Sequence, residues 1–228
     1  MNFQNLDSQL VLDLGHRPAL EREDFLIAPC NNEAVSQVDK WPSWTSHLLI
    51  LVGNPGSGKT HLASVWRAMS DATIISSKDL NRDHNPWRLL RPVSACVVED
   101  VSEKIDDQAL LHLINVATEV GGFLLITSIK APSKWPIKLA DLASRVRAAP
   151  IATLHEPDDN LLAAIMVKLF ADRQLSVAPE VIGYLVTRID RSFAAARSIV
   201  EELDRTALSQ ARSVTIPLAR EVLIKLNN

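Results

Sequence analysis

Short apolar runs alternate with longer segments of helical periodicity along the first two thirds of the chain. Five runs are rich in Val, Ile, Leu and Ala, at residues 47–52, 72–76, 95–99, 123–127 and 150–154. Runs that are apolar throughout, instead of alternating with polar residues, suit strands that are buried on both faces, as in a parallel sheet. The segments between them, including 60–69 and 107–120, are long enough for helices. This pattern predicts a doubly wound α/β domain, a five-stranded parallel sheet flanked by helices.

The pattern changes after residue 154. The segment that follows has a Pro-Asp-Asp helix-start signal and then apolar residues at helical spacing, such as Leu161, Leu162, Ile165 and Met166. Three further amphipathic segments follow, and none reads as a strand. We therefore predict an α/β domain over 19–154 and a small all-α domain over 155–228, preceded by a tail over 1–18.

Composition and charge narrow the class of protein. The 228 residues are 47% hydrophobic, which is enough for a substantial core. The net charge of −3 gives no global signal for binding nucleic-acid phosphates, although a local basic patch stays open. The two cysteines lack metal-site spacing, the N-terminus lacks a signal-peptide pattern, and no apolar run approaches about 18 residues. We expect a reduced, cytoplasmic protein that does not enter a membrane.

The strongest motif is the stretch GNPGSGKT, which fits G-x-x-x-x-G-K-[ST] between a predicted strand and a predicted helix. Its glycines let backbone N–H groups converge on a phosphate, and the helix N-terminus adds partial positive charge. Lys59 is expected to reach the β- and γ-phosphates, and the Thr60 hydroxyl to ligate Mg²⁺. The candidate residues for binding ATP or ADP in this segment are Gly53, Asn54, Pro55, Gly56, Ser57, Gly58, Lys59, Thr60 and His61.

Two other predicted strands end in polar residues. Glu99 and Asp100 follow an apolar run, and a P-loop enzyme needs an acid at the end of a neighbouring strand to hold the Mg²⁺ shell. Glu99 and Thr60 are therefore the metal candidates, with Asp100 beside them. Thr127 and Ser128 end another run and are candidates to contact a γ-phosphate or an attacking water. A simple strand-end cap is the alternative.

An apolar segment precedes the phosphate-binding motif. Phe25, Leu26 and Ile27 lie upstream of a polar turn and are candidates for one wall of an adenine pocket. By themselves they read equally well as core packing.

Taken together, these segments resemble the AAA+ ATPases, and within them the bacterial DnaA initiator clade. The stretches that carry the resemblance are DFLIAPCNNEA, GNPGSGKTHL, VVEDVS, LLITS, LADLASRV and RSFAAARSIVEELDR. The resemblance implies an AAA+ P-loop domain with a helical lid, and it identifies the first stretch with the adenine-binding segment.

The resemblance also implies roles for several arginines. Arg145, in DLASRV, matches the arginine finger, which stabilises charge on a γ-phosphate bound by a neighbouring subunit; Arg147 is a weaker substitute. The family's lid arginine aligns with Ala194, so Arg191 and Arg197 are the candidates to reach the nucleotide. The family usually has Asp where this chain has Glu99, and slow intrinsic turnover is therefore expected.

DnaA initiators continue into a helix-turn-helix DNA-binding domain, and we expect no such domain after Asn228 here. The resemblance then implies a DnaA-related regulator that binds the DNA-loaded sliding clamp, the β subunit of DNA polymerase III, and promotes hydrolysis of DnaA-bound ATP. Two alternatives stay open. One is an adaptor with a structural nucleotide that recruits a partner to the clamp, and the other is an autonomous, helicase-loader-like ATPase.

The tail supplies the candidate contact with the clamp. Its stretch QLVLDL resembles the Q-L-x-L-x-L peptide with which bacterial proteins bind the sliding clamp, although its alternation also suits an opening strand. The candidate clamp-binding residues are Gln9, Leu10, Leu12 and Leu14. Contact with DNA would then be mainly indirect, and a homodimer is left open.

Overall fold

The computed structural model describes residues 25–91, 93–101 and 105–226. The candidate clamp-binding residues, Gln9, Leu10, Leu12 and Leu14, lie outside this range. The described residues fall into two compact units, one within Ala19–Glu156 and one within Pro157–Asn228.

The first unit is built on a parallel sheet. Its strands are β1 (Leu48–Gly53), β2 (Thr73–Ser76), β3 (Ala95–Val101), β4 (Phe123–Ser128) and β5 (Ile151–Leu154). All four pairings are parallel and the strand order is β2-β3-β4-β1-β5. The predicted five-stranded parallel sheet is therefore confirmed.

The helices of this unit cover both faces of the sheet. They are α1 (Asn32–Asp39), α2 (Lys59–Ser70), α3 (Pro86–Leu89), α4 (Asp107–Glu119) and α5 (Ala140–Ala148), with a short 3-10 helix at Pro132–Lys134. Alternate residues of one strand enter different cores, as the period of two requires. Leu48 and Ile50 of β1 pack on the side of α4 and α5, whereas Leu49 and Leu51 pack on the side of α1 and α2.

The two edge strands differ from the prediction that all five runs are buried on both faces. Ile74 in β2 is 41% exposed and Ile151 in β5 is 38% exposed. Each of these strands has a neighbour on one side only, so the helical layers cover it less completely. In the central strands β1, β3 and β4, Ile50, Val98 and Leu125 have no exposed area.

The second unit contains four helices and, within the part of the chain that the structure describes, no strand. They are α6 (Asp159–Asp172), α7 (Pro179–Val186), α8 (Phe193–Gln210) and α9 (Ile216–Leu226). The Asp158 side chain caps α6 by accepting the Leu161 N–H at 2.8 Å, and Ser192 caps α8 by accepting the Ala195 N–H at 3.0 Å. Their apolar faces meet in one core, and the predicted small helical domain is confirmed.

None of the described helices is long and apolar enough to cross a membrane.

Candidate functional site

The phosphate-binding loop joins the end of β1 to the start of α2. Gly56 has φ 74° and Gly58 has φ 97°, which is the left-handed region that side chains with a Cβ rarely adopt. These conformations turn the chain sharply so that α2 begins at Lys59, with the backbone N–H groups of its first turn at the loop. The loop therefore has the backbone shape that its sequence predicts.

Gly53 has a different reason to be glycine. A Cβ on this residue would lie 2.5 Å from Ser57 Oγ and 2.7 Å from the Leu154 carbonyl oxygen, which belongs to the paired strand β5. The Ser57 hydroxyl is itself buried and has no hydrogen-bond partner among the described residues. A buried hydroxyl of this kind normally has a partner, so it points to a ligand group in the loop.

The Lys59 ammonium lies inside the loop. Its Nζ donates to the Gly53 carbonyl at 2.7 Å and to the Asn54 carbonyl at 2.9 Å. Burial lowers the pKa of the Lys59 ammonium, and the charge of Asp100 opposes that shift. The sequence thus places a buried cation where a phosphate would bring compensating charge.

The two metal candidates lie together, although Thr60 is in the first turn of α2, after β1, and Glu99 is in β3. Strand β4 lies between β1 and β3, so Glu99 is one strand further from the phosphate-binding loop than the prediction of a neighbouring strand required. Burial raises the pKa of the Glu99 carboxyl, the Asp100 charge raises it further, and a hydrogen bond with the Thr60 side chain opposes both effects. Glu99 Oε1 is buried and has no hydrogen-bond partner among the described residues.

Asp100 and Thr127 meet through the backbone. The Asp100 N–H donates to Thr127 Oγ1 at 2.9 Å, and the Thr127 side chain has no exposed area. The Asp100 side chain is exposed and sits close enough to influence both Lys59 and Glu99. This contact fits the role of a strand-end cap, which is one of the two roles considered for Thr127, the other being a contact with the γ-phosphate or an attacking water.

The segment upstream of the phosphate-binding loop contacts α2 through Phe25, one of the three candidates for the adenine pocket. Phe25 is buried, and its ring packs edge-on against that of His61 with centroids 5.0 Å apart. Leu26 is half-buried, whereas Ile27 is 51% exposed. Phe25 therefore belongs to the core beside α2, and Ile27 is the candidate with surface to offer a ligand.

Arg145 lies on the outer face of α5. Leu142 and Val146 anchor the opposite face of this helix in the core and have no exposed area. The Arg145 side chain is 40% exposed, and its Nε pairs with Asp141 Oδ1 at 3.1 Å within the same helix. Arg147 is also exposed.

The lid arginines are described within their own unit. Arg191 Nη2 lies 3.1 Å from Asp159 Oδ1, an ion pair between the loop before α8 and the first residue of α6. Arg197 is exposed in the first turns of α8. Both predicted arginines therefore present charge at the surface of the helical unit.

Three polar residues near the site were missed. Ser77 donates its hydroxyl to the Asp100 carbonyl at 2.7 Å, Glu156 accepts from Asn54 Nδ2 at 2.9 Å, and Asn31 bonds Leu26 O and Ala28 N at 2.9 Å each. Ser77 directly follows β2, and Glu156 lies shortly after the end of β5. The rule that pointed to Thr127, a polar residue after a buried strand, would have found both.

These residues fit a nucleotide with Mg²⁺. The loop offers two left-handed glycines, a buried lysine and a buried hydroxyl without a hydrogen-bond partner among the described residues. The end of β3 offers a carboxylate oxygen beside Thr60 that is likewise buried and without such a partner. Hydroxyl and carboxylate oxygens are the ligands that Mg²⁺ prefers.

Comparison with known proteins agrees with this architecture. A model of the Hda lid domain matches residues 158–223. Domain III of the replication initiation protein DnaA from Thermotoga maritima superposes with a TM-score of 0.80 at 22% identity, covering 92% of this chain and 97% of that chain. The chain therefore has an AAA+ fold like that of DnaA domain III, and its helical unit matches the Hda lid model.

Other relatives extend the comparison. AMPPCP-bound DnaA from Aquifex aeolicus superposes with a TM-score of 0.67 at 19% identity, over 84% of this chain and 66% of that one. An uncharacterized protein of Haemophilus influenzae is 27% identical over 187 residues, which are 75% of this chain and 79% of that protein. The AAA+ fold resemblance seen in the sequence is confirmed, and the Hda-type lid occupies the predicted helical region.

Proposed function

We propose that this chain is a regulatory inactivator of DnaA that binds ATP or ADP with Mg²⁺ and promotes hydrolysis of the ATP carried by DnaA. The observation that carries the proposal is the Hda-type lid at residues 158–223 on a DnaA-like AAA+ fold. The site geometry supports the nucleotide part of the proposal, and the exposed Arg145 supports the action on a partner.

In the nucleotide site, Lys59 binds the β- and γ-phosphates in place of its present contacts with Gly53 and Asn54. Thr60 and Glu99 hold the metal. When bound, Mg²⁺ neutralises negative charge on the phosphate oxygens. We infer a protein that holds its nucleotide and hydrolyses it slowly, since Glu99 replaces the usual shorter Asp.

Arg145 acts on the partner. Among the described residues, its guanidinium pairs with one exposed carboxylate, four residues earlier in the same helix, an arrangement worth about 0.3–0.5 kcal/mol. Arg145 can readily leave such a weak pair and contact the γ-phosphate bound by a docked neighbour. An arginine finger in that position raises the rate of hydrolysis by a factor of about 10³–10⁵. The rigid anchoring of α5 through Leu142 and Val146 fixes where this arginine lies.

The tail connects the protein to DNA. Gln9, Leu10, Leu12 and Leu14 bind the sliding clamp, with the leucines in an apolar pocket and the glutamine amide at a second subsite. DNA is then reached through the clamp, in agreement with a net charge of −3. We place the protein in the cytoplasm, where its two partners act.

The experiment loads DnaA with labelled ATP and counts the ADP formed, with and without DNA-loaded clamp. We expect wild type to stimulate hydrolysis only when the clamp is present. Arg145→Ala should abolish stimulation. Arg147→Ala, which changes an arginine two residues further along the same helix, should retain most of the stimulation. The double variant Gln9→Ala with Leu12→Ala should lose both stimulation and clamp binding in a pull-down. Full stimulation by Arg145→Ala would refute the finger.

The same reactions separate the alternatives. Brisk ATP hydrolysis by the chain alone would favour an autonomous ATPase. Clamp binding without any effect on DnaA-bound ATP would favour an adaptor. Sedimentation with and without ADP decides between a monomer and a homodimer.

A further inference from the structure

The end of β3 is irregular where it carries the two acidic residues. Val98 pairs with Ile126 of β4, but the next paired residue, Val101, faces Ser128. Three steps along β3 therefore match two along β4, which is the mark of a β-bulge at Glu99–Asp100. Asp100 has φ 55°, an uncommon conformation for a residue with a Cβ, which requires support from its surroundings.

Three buried hydroxyl residues surround this bulge. Ser77 in the segment after β2 donates its hydroxyl to the Asp100 carbonyl at 2.7 Å, and its N–H donates to the Glu99 carbonyl at 2.8 Å. From the other side, Thr127 Oγ1 accepts the Asp100 N–H at 2.9 Å, and Ser128 donates its hydroxyl to the Val101 carbonyl at 2.8 Å. We call Ser77, Thr127 and Ser128 the hydroxyl brace.

The brace is well placed to hold a fixed geometry. Each of its three side chains is at most 1% exposed, so water does not compete for these hydrogen bonds. The brace residues reach the backbone of β3 from both sides, Ser77 from the segment after β2 and Thr127 and Ser128 from β4. In a regular ladder, successive side chains point to opposite faces of the sheet. The bulge changes that alternation at the position of Glu99, whose carboxylate lies beside Thr60.

We propose that the hydroxyl brace holds the β3 bulge so that the Glu99 carboxylate is aimed at the Thr60 hydroxyl, and that Thr127 is a positioning residue for the metal site instead of a phosphate contact. The inference rests on the proposed nucleotide site. It assigns Thr127 a role that works through the Asp100 N–H, and it adds Ser77 and Ser128 to the residues on which metal-dependent binding depends.

The test compares Thr127→Val, which keeps the shape but removes the acceptor, with Thr127→Ser, which keeps the oxygen. Affinities for fluorescent ADP and ATP are measured in EDTA and in Mg²⁺. Loss of an outer residue of a metal site typically costs about 10–100-fold in metal affinity. We expect Thr127→Val to lose the affinity gained on adding Mg²⁺, for ADP and ATP alike, while affinity in EDTA stays at the wild-type value. Thr127→Ser should restore the gain.

A phosphate contact would give another pattern. If Thr127 touched the γ-phosphate, Thr127→Val would weaken ATP relative to ADP, and would do so in EDTA as well. That result, or an unchanged response to Mg²⁺, would overturn the positioning role. Ser77→Ala is the second variant, which removes the support on the opposite side and should give the same loss of the Mg²⁺ response.

Hydrogen exchange separates this inference from the nucleotide proposal. In nucleotide-free protein, amide exchange across residues 97–101 should become faster in Thr127→Val and stay at the wild-type rate in Thr127→Ser. Unchanged exchange in Thr127→Val would overturn the brace whether or not nucleotide binds. Failure of the wild-type chain to bind any nucleotide would refute the proposed nucleotide site, and the exchange measurement would still decide the brace.

Discussion

Replacing Gly53 by alanine tests the packing of the phosphate-binding loop with a single methyl group. The backbone of Gly53 is outside the left-handed region, so the effect of the change comes from contacts alone. The new Cβ would lie 2.5 Å from Ser57 Oγ and 2.7 Å from the Leu154 carbonyl oxygen. Ser57 has a side chain that rotates, but the Leu154 carbonyl is backbone in the paired strand and yields only if β1 and β5 move apart.

Overpacking of this kind costs about 1–3 kcal/mol of unfolding free energy. For a chain of this size, each kcal/mol lowers Tm by about 2–4 °C. The matched control is Gly183→Ala in α7, because a Cβ there meets nothing within 4 Å. Alanine is favoured over glycine inside a helix by about 0.5–1 kcal/mol, so this variant should be as stable as wild type or more so.

The assay is thermal unfolding of wild type and both variants, combined with titration of ADP in Mg²⁺. We expect Gly53→Ala to have a lower Tm and weaker ADP binding, since a displaced Ser57 changes the loop. Gly183→Ala should keep wild-type ADP affinity. Equal stability and equal ADP affinity for the two variants would refute the packing argument at Gly53.

Three further predictions concern residues outside the loop. Arg145→Ala should change unfolding free energy by no more than about 0.5 kcal/mol, because its pair with Asp141 is exposed; a larger loss in urea unfolding would show a structural role. Leu203→Ala removes a fully buried side chain from the core of the helical unit and should destabilise that unit by about 2–5 kcal/mol in urea unfolding. A loss below about 1 kcal/mol would contradict the packing of Leu203 in this core. Burial raises the pKa of the Cys96 thiol to about 11. At pH 8 only about one Cys96 thiol in a thousand is then the reactive thiolate. Iodoacetamide should modify the half-buried Cys30 first and Cys96 only in denaturant, and equal labelling by mass spectrometry would contradict this burial.

The sequence was most informative where one local rule decides the structure. The central strands read as unbroken apolar runs, and the loop glycines fit a motif whose turn requires left-handed backbone at Gly56 and Gly58. Both were predicted because the signal lies within a few adjacent residues. The same holds for α6, whose Asp158 cap and apolar face are visible in one short stretch.

Features that depend on strand order could not be read in this way. The place of β4 between β1 and β3 is set by crossover connections, so the predicted adjacency of Glu99 to the loop strand was wrong. The bulge at Asp100 has no local sequence mark either, since it arises from the pairing of β3 with β4. The position of Ser77 directly after β2 is visible in the sequence, but its contact with the Asp100 carbonyl appears only when β2 pairs with β3.

The most direct test of the account is a single-turnover measurement of ATP hydrolysis on DnaA in the presence of DNA-loaded clamp and an excess of this protein. We predict that wild type accelerates the hydrolysis rate constant and that Arg145→Ala lowers the accelerated rate by about 10³-fold or more, while its Tm and clamp binding match wild type. An Arg145→Ala variant that accelerates hydrolysis as well as wild type would contradict the central claim.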